Sequence, residues 1–304
     1  MTTFTAWLKA SRIPAQLFIF PSLLLGQMLY FYQTGNFSSI RFLGLFMFGL
    51  VNHFFIVYAN DYADYETDRL NQTYTPFTGG SRVLVEGVLS RKSLLKATLI
   101  MMAMTILLTT YFAWLLGSFI PIVLGLVGLF LMHAYSFAPI KLSYRGFGEV
   151  LQMLGVGVVL PLLGYTVQGG LIQNLPLSII LILLPSQLAM AFGTSLPDQP
   201  SDALSNKHTS AVILGVPLAR KVMVLWFVIS LSLLWQVPDL RELGTPLITL
   251  TVIIMMLLIV QTLLAFNPQT LPGKPLMFWL TFMSILTNTT FVFGVSWLLW
   301  VGTA

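Results

Sequence analysis

Seven long stretches without a charged residue constrain this chain more than any other feature of its sequence. They contain 17 to 48 residues each, whereas a helix that crosses a lipid bilayer needs about 20 mostly apolar residues. The stretches are 13–40, 42–60, 97–140, 150–197, 222–238, 243–273 and 275–304. The two longest must hold two helices each, with breaks near Gly117 and near Gly169. We therefore predict an all-α, polytopic membrane protein of nine transmembrane helices in one domain, residues 1–304.

The composition excludes several classes of protein. Only 8% of the residues are charged and 57% are hydrophobic, whereas soluble domains carry about 25% charged residues. An ordinary soluble enzyme, a disordered protein and a nucleic-acid binder are excluded on this ground. The chain has no cysteine, so disulfides, thiolate metal sites and cysteine nucleophiles are excluded as well.

The distribution of basic residues predicts how the helices are oriented. With the N-terminus in the cytoplasm, nine helices place 13 of the 15 Lys and Arg residues on the cytoplasmic side. Only Arg41 and Arg241 fall outside, as the positive-inside rule requires. We expect a multi-pass protein of the inner cell membrane, with the C-terminus on the opposite side. The first apolar stretch is too long for a signal-peptide core, so we expect it to be retained.

Most of the acidic residues lie in two loops on the predicted cytoplasmic side, at about 60–92 and 195–217. Asp61, Asp64 and Asp68 are spaced i, i+3, i+7 and share one face if the helix continues through them. Asp198 and Asp202 are spaced i, i+4, and the prolines around Asp198 indicate that it opens a new helical turn. The spacing of Asp64 and Asp68 repeats in this second pair, which is a weak indication of an internal repeat.

Acid pairs at the ends of two helices are typical of sites for hard divalent cations. Mg²⁺ prefers oxygen ligands and commonly bridges carboxylates to the phosphates of a substrate. Arg82, Lys141, Arg145 and Lys207 lie on the same predicted side. The Gly79–Gly80 step allows backbone N–H groups to approach an anion. Together these residues predict a site that holds Mg²⁺ and a diphosphate and stabilises the charge on a leaving diphosphate.

The two motifs resemble those of the UbiA-type intramembrane prenyltransferases. The family's first motif, Asn-Asp-x-x-Asp-x-x-x-Asp, and its second, Asp-x-x-x-Asp followed by Lys-x-Thr, are matched by Asn60, Asp61, Asp64 and Asp68 and by Asp198, Asp202, Lys207 and Thr209. Residues 78–87 and 144–150 are most similar to the MenA branch, which prenylates 1,4-dihydroxy-2-naphthoate on the way to menaquinone. Thr194, Ser195 and Pro197 depart from the family, which usually has Asn and Arg there.

The resemblance implies a UbiA-like helix bundle with a lateral opening to lipid. It implies Mg²⁺-dependent transfer of a polyprenyl group from a polyprenyl diphosphate to an aromatic acceptor. The implied metal-binding residues are Asn60, Asp61, Asp64, Asp68, Asp198 and Asp202, and the five aspartates among them are the implied catalytic residues. The implied substrate-binding residues are Asn60, Arg82, Tyr135, Lys141, Arg145 and Lys207, with the ring of Tyr135 facing the allylic cation.

Several alternatives remain open at the level of the sequence. The acceptor is an aromatic compound such as 1,4-dihydroxy-2-naphthoate, 4-hydroxybenzoate or homogentisate, or else a chlorophyllide or a glycerol phosphate. A secondary transporter is the alternative of a different class, although transporters tend to place their acids near the middle of the membrane. His53 and Glu149 are either structural or site-lining residues. Buried amides are expected to form interhelical hydrogen bonds, namely those of Asn52, Gln152, Gln187 and Asn288.

Overall fold

The computed structural model describes residues 2–303 and, within them, all side chains except those of residues 16 and 17. Every regular element in this part of the chain is a helix, which confirms the all-α prediction. The α-helices are α1 (Thr3–Ala10), α2 (Gln16–Thr34), α3 (Ser39–Ala63), α4 (Tyr65–Leu70), α5 (Arg91–Leu116), α6 (Ile120–Ser136), α7 (Gly148–Leu154), α8 (Leu160–Gln168), α9 (Leu177–Leu181), α10 (Leu184–Ser195), α11 (Gln199–Leu204), α12 (Ser210–Leu214), α13 (Val216–Leu234), α14 (Pro238–Arg241), α15 (Thr245–Phe266) and α16 (Pro275–Thr303).

Seven helical segments in the described residues are long and apolar enough to cross a membrane. They are α3, α5, α7 joined to α8, α9 joined to α10, α13, α15 and α16. A bent pair, Thr3–Ala15 and Phe18–Thr34, makes an eighth if it counts as one span. Helix α6 is also apolar but only 17 residues long. The multi-pass architecture agrees with the sequence, while the count of nine spans stays a prediction.

The ends of the long helices follow from local sequence signals. Ser38 and Ser90 cap α3 and α5, because each side chain accepts a hydrogen bond from a free N–H of the first turn. Helix α5 ends at Gly117 with φ of 60°, and α8 ends at Gly169 with φ of 114°. These left-handed residues favour glycine. The two breaks predicted inside the longest apolar stretches therefore lie at the expected places.

Glycines bring α2 and α8 into direct backbone contact. A Cβ atom at Gly26 would lie 1.9 Å from the carbonyl oxygen of Pro161, and one at Gly164 would lie 2.2 Å from that of Leu23. Only glycine permits helices to approach so closely, and small residues are common at such interfaces in membranes. This contact fixes α8 beside α2. Helices α3 and α6 complete the wall of the cavity described below.

Candidate active site

Both acid motifs lie where a spanning segment ends and a short helix begins. Helix α3 ends at Ala63, and Asp64 is the N-cap residue of α4. Asp198 holds the same position before α11. The last acid of each motif donates its backbone N–H to the carbonyl of the acid before it, from Asp68 to Asp64 at 2.8 Å and from Asp202 to Asp198 at 2.9 Å. The repeated spacing in the sequence thus corresponds to a repeated local structure.

The two motifs contact one another through the residues that follow each of them. The Asn71 side chain, after the first motif, donates a hydrogen bond to Asp198 at 2.8 Å. The Lys207 ammonium, after the second motif, forms an ion pair with Asp64 at 2.8 Å. The segment after each motif therefore supplies a partner to the N-cap acid of the other motif, Asp198 or Asp64. The acids converge at one site although the pairs are separated by 127 and 143 residues.

The segment from Asn71 to Arg82 folds over the acids. The backbone N–H of Gly79 donates to Asp198 at 3.0 Å. The backbone N–H of Ser81 donates to Asp61 at 3.2 Å, and its hydroxyl also donates to Asp61. A Cβ atom at Gly80 would lie 2.1 Å from a carboxylate oxygen of Asp68, so only glycine fits there. The sequence predicts that backbone N–H groups at Gly79 and Gly80 approach an anion. In the structure the anion that Gly79 contacts is the carboxylate of Asp198, a group of the protein itself.

The acids repel one another and are withdrawn from water. Burial, with the charges of Asp61, Asp64 and Asp198, raises the pKa of Asp68 to about 8. Burial likewise raises the pKa of Asp202 to about 7. It also raises the pKa of Asp198, although hydrogen bonding by Asn71 opposes the shift. Uncompensated buried carboxylates favour the binding of a cation, because a cation removes both the repulsion and the cost of burial.

Lys207 is the ammonium group at the centre of the acids. Burial lowers its pKa, but Asp64, Tyr135 and Asp202 outweigh that effect and raise the pKa well above its ordinary value. Its ammonium nitrogen lies 5.7 Å from the ring centroid of Tyr135 and 5.8 Å from that of Tyr144. Lys207 is therefore charged and is held between two aromatic rings and the carboxylates.

The donor set suits a hard divalent ion that retains other ligands. The buried carboxylate of Asp68 accepts no hydrogen bond within the described residues, so its oxygens are available. In the same part of the chain no three His, Asp or Glu side chains are close enough to hold one ion. Mg²⁺ needs no such group, because it commonly takes one or two carboxylates together with water and substrate phosphate. The carboxylates that the two motifs contribute to the site fit that pattern.

A cavity of about 260 Å³ opens from the acids. Its polar end is lined by Arg12, Asn60, Asp64, Asp68, Asn71, Asp198, Asp202 and Lys207. Its other end is lined by apolar residues of α2, α3, α6 and α8, among them Ile19, Phe48, Leu131 and Leu160. Between α7 and α8 a π-helical turn, Gly155–Val159, interrupts the α-helix and contributes to the wall. Such turns often mark functional sites.

Three of the basic residues predicted from the sequence do not line this cavity. Arg82 donates to the carbonyl oxygens of Asp68 and Asn71, and its guanidinium lies 4.6 Å from the ring centroid of Tyr74. The Lys141 ammonium lies 3.7 Å from the ring centroid of Tyr144. Arg145 donates to the carbonyl of Pro139 at 3.0 Å. Of the predicted basic residues, Lys207 alone lines the cavity within the described residues.

Arg12 lines the cavity and is absent from the set predicted from the sequence. Its guanidinium lies 3.9 Å from a carboxylate oxygen of Asp61 and donates to the carbonyl of Phe77 at 2.9 Å. The residue has φ of 42°, a left-handed conformation that turns the chain between α1 and α2. Its signal in the sequence is a basic residue immediately before the first charge-free stretch, which we interpreted only as a determinant of orientation.

Four further residues near the acids have defined contacts. Tyr135 lines the cavity as predicted, whereas the hydroxyl of Tyr144 contacts Thr67 at 2.8 Å and lies 3.4 Å from Asp64. Glu149 accepts the backbone N–H of Ser210 at 2.7 Å, which gives it a structural contact. His53 lines the cavity, and its Nε2 lies 2.7 Å from the carbonyl of Ser11.

The fold is similar to that of solved UbiA homologues. The structure of a UbiA homologue from Archaeoglobus fulgidus bound to GPP and Mg²⁺ matches with a TM-score of 0.68 and 15% identity, over 95% of this chain and 99% of that chain. The apo structure of a UbiA homologue from Aeropyrum pernix K1 matches with a TM-score of 0.69 and 15% identity, over 95% and 97%. A digeranylgeranylglyceryl phosphate synthase matches with a TM-score of 0.62 and 15% identity, over 97% and 99%.

The amino-acid sequence identifies the family independently of the structure. The comparison with curated protein sequences found no match. The model of the UbiA prenyltransferase family, however, matches residues 19–286, a range that includes both acid motifs and most of the cavity wall. The chain therefore belongs to the UbiA prenyltransferase family.

Proposed function

We propose that the protein transfers a polyprenyl group from a polyprenyl diphosphate to 1,4-dihydroxy-2-naphthoate in a Mg²⁺-dependent reaction, as a step of menaquinone biosynthesis. One observation carries the proposal. Two acid motifs meet at the polar end of a cavity whose remaining walls are apolar. A polyprenyl diphosphate also has one polar and one apolar part, because its charged head needs cations and its tail needs an apolar environment.

Two solved neighbours support the choice of donor and metal. One is the A. fulgidus homologue bound to GPP and Mg²⁺, and another structure is bound to DMAPP and Mg²⁺. The proposed ligands of Mg²⁺ in this chain are Asn60, Asp61, Asp64, Asp68, Asp198 and Asp202. Bound there, Mg²⁺ would neutralise the diphosphate and make it a better leaving group. Asp61 is held by Ser81 and Arg12, so its role as a ligand requires these contacts to rearrange.

Lys207 and Arg12 are the proposed partners of the diphosphate. Both are cations that line the polar end of the cavity. Hydrogen bonds from charged donors to phosphate oxygens are stronger than those between neutral groups. The other basic candidates make their contacts outside the cavity wall, so in this proposal they position the loops around the site and do not bind the diphosphate. They are Arg82, Lys141 and Arg145.

The cavity also suits an allylic cation. The proposed reaction breaks the carbon–oxygen bond of the donor and releases diphosphate. The allylic carbon then bonds to a carbon of the electron-rich ring, which loses a proton, or carbon dioxide if the carboxylated carbon is attacked, as the ring regains its aromaticity. The face of Tyr135 lies at the polar end, where an aromatic ring stabilises positive charge. The apolar walls formed by Ile56, Leu131 and Val156 exclude water, which would otherwise capture the cation.

The choice of 1,4-dihydroxy-2-naphthoate rests on the similarity of residues 78–87 and 144–150 to the MenA branch. The other acceptors are 4-hydroxybenzoate, homogentisate, a chlorophyllide and a glycerol phosphate. The last has support from the structural similarity to a digeranylgeranylglyceryl phosphate synthase. In the proposed orientation the acids and the N-terminus face the cytoplasm of a cell with the protein in its inner membrane, as the distribution of Lys and Arg indicates.

The test is a reaction of the purified full-length chain in lipid nanodiscs. Labelled geranyl or longer polyprenyl diphosphate is supplied with each acceptor in turn, with Mg²⁺ or with EDTA. We expect prenylated naphthoate and released diphosphate with Mg²⁺ only. If only another acceptor gives a prenylated product, that compound is the acceptor and 1,4-dihydroxy-2-naphthoate is not. In sealed proteoliposomes, movement of a solute across the bilayer without release of diphosphate would support a transporter and overturn the proposal.

A further inference from the structure

Two amide side chains lie in the cavity wall with no partner in the protein. Asn52 is on α3 and is only 7% exposed. Gln152 is on α7 and is partly exposed. Both line the cavity, and within the described residues neither side chain makes a hydrogen bond. Polar atoms that border a cavity and have no partner in the protein are available to bond to whatever fills it, water or a ligand.

The other buried amides of the described residues each make at least one hydrogen bond within the protein, although one amide atom of Gln261 and one of Asn288 have no partner. Gln168 donates to Gln27 at 2.9 Å, and Asn288 donates to Gln187 at 3.4 Å. The sequence predicts interhelical hydrogen bonds for Asn52 and Gln152 as well, and the structure contradicts that prediction. The difference is one of location, because Gln187 and Asn288 lie between packed helices, whereas Asn52 and Gln152 face open space.

The position of Asn52 relates it to the reacting groups. Phe48, Asn52, Ile56 and Asn60 follow one another at intervals of four residues and all line the cavity. With a rise of 1.5 Å per residue, Asn52 lies about 12 Å along α3 from Asn60. That separation leaves room for the allylic carbon between the diphosphate site and the amide. Asn52 therefore lies where an acceptor can meet the donor.

Gln152 lines the same cavity from another helix, α7. It lies one turn after Gly148, where a Cβ atom would be 3.3 Å from the Tyr135 ring. Its neighbours in the wall are apolar, namely Leu151, Gly155 and Val156. The cations that line the cavity in the described residues, Arg12 and Lys207, belong to the polar end. The two amides are thus neutral groups in apolar surroundings.

We infer that Asn52 and Gln152 bind the oxygen atoms of the acceptor ring. An amide can both donate and accept a hydrogen bond, so it suits the hydroxyl or carbonyl oxygen of a hydroxylated aromatic compound. Neutral amides are poorer partners than cations for an ionised carboxylate. The site is therefore specific for ring hydroxyl groups. This inference rests on the proposed function, since it assigns the acceptor side of the same reaction.

The test compares two acceptors that differ by one hydroxyl group. The purified chain in nanodiscs is given geranyl diphosphate and either 1,4-dihydroxy-2-naphthoate or 1-hydroxy-2-naphthoate, and kcat/KM is measured for each. A site that bonds to a hydroxyl discriminates strongly against the analogue that lacks it. We expect Asn52→Leu or Gln152→Leu to reduce the ratio of the two kcat/KM values about tenfold, with the KM for geranyl diphosphate unchanged.

The control is Phe48→Leu, one turn from Asn52 on the same stripe. It changes the shape of the cavity without removing a hydrogen-bonding group, so we expect it to affect both acceptors equally. An unchanged ratio in both amide variants would show that the amides hold only water and would overturn the inference. So would an equal loss of affinity for donor and acceptor. If the unaltered chain transfers no prenyl group to any acceptor, the proposed function fails instead.

Discussion

The two acid motifs have the same local geometry but different electrostatic surroundings. Asp64 of the first motif and Asp198 of the second each occupy the N-cap of a six-residue helix. Asp64 is neutralised by a buried ammonium group, that of Lys207. Asp198 in the same position receives only neutral donors in direct contact, the amide of Asn71 and the N–H of Gly79. The charge of Asp64 is thus balanced by direct contact with a cation, whereas the charge of Asp198 is opposed only by the more distant Lys207 and Arg12.

The largest expected effect concerns turnover and applies to both motifs. Asp64→Ala and Asp198→Ala each remove a proposed Mg²⁺ ligand, and we expect either change to reduce prenyl transfer at least about 100-fold. The measurement is release of diphosphate by purified variants in nanodiscs. Yield and elution volume should show that both variants insert into the membrane, with a lower yield for Asp64→Ala because it leaves buried Lys207 without its ion-pair partner. Near-normal turnover in either variant would contradict the shared role.

Stability without Mg²⁺ should separate the two motifs. Asp64→Asn leaves the buried ammonium of Lys207 without its ion-pair partner, a loss that typically costs about 3–5 kcal/mol. Asp198→Asn removes a charge that burial already disfavours, as the raised pKa of Asp198 indicates, and it retains the size of the side chain.

We therefore expect a clear fall in melting temperature for Asp64→Asn and a smaller fall for Asp198→Asn, measured in EDTA. Asp198→Asn loses one hydrogen bond, because the amide NH₂ group cannot accept from Asn71 or Gly79 as the carboxylate does. Equal destabilisation of both variants would refute the proposed electrostatic difference between the motifs. Added Mg²⁺ should raise the melting temperature of the unaltered chain more than that of either variant, because a ligand stabilises only the state that binds it.

A smaller effect is expected for Arg82, which lies in the segment that folds over the acids. Its guanidinium donates to the carbonyl oxygens of Asp68 and Asn71. Hydrogen bonds from a charged group contribute about 1.5–3 kcal/mol. We expect Arg82→Ala to lower the melting temperature and to weaken donor and acceptor affinity alike. A loss confined to the affinity for the diphosphate donor would instead indicate that Arg82 binds the diphosphate directly.

The smallest expected effect is on the preference for donor length, and it concerns two glycines in the cavity wall. A Cβ atom at Gly128 or Gly155 would have no contact closer than 3.8 Å, so these helical glycines border open space. We expect Gly128→Val to lower kcat/KM several-fold for long donors and less for dimethylallyl diphosphate, because the added methyl groups narrow the cavity.

The matched control for Gly128 is Gly157, which lies outside the cavity. A Cβ atom at Gly157 would lie 3.1 Å from the side chain of Gln187. Gly157→Ala should therefore affect stability without a preference for donor length. An identical donor-length profile for the two variants would argue against a prenyl tail passing Gly128.

The sequence predicts the fold class, the helix breaks and the meeting of the two motifs, because each depends on a strong local signal. Charge-free stretches, left-handed glycines and repeated acids are visible without coordinates. The partners of the acids depend on long-range packing. No pattern in the sequence indicates that Asn71 bonds to Asp198 or that Arg12 lines the cavity. For Arg82 and Asn52 the prediction differed from the structure because the sequence does not show which way a side chain points. Arg82 points to backbone carbonyls instead of the cavity, and Asn52 points into the cavity instead of to a neighbouring helix.

The reciprocal pairing of the motifs has a consequence for biosynthesis. Asp64 is translated 143 residues before Lys207, the cation that neutralises it. Until the ribosome has passed that lysine, the early aspartates have no cationic partner from the later loop and stay in contact with water. A product truncated before Lys207 therefore carries a cluster of mutually repelling acids at the membrane surface, and quality-control proteases would encounter it as an unfinished chain.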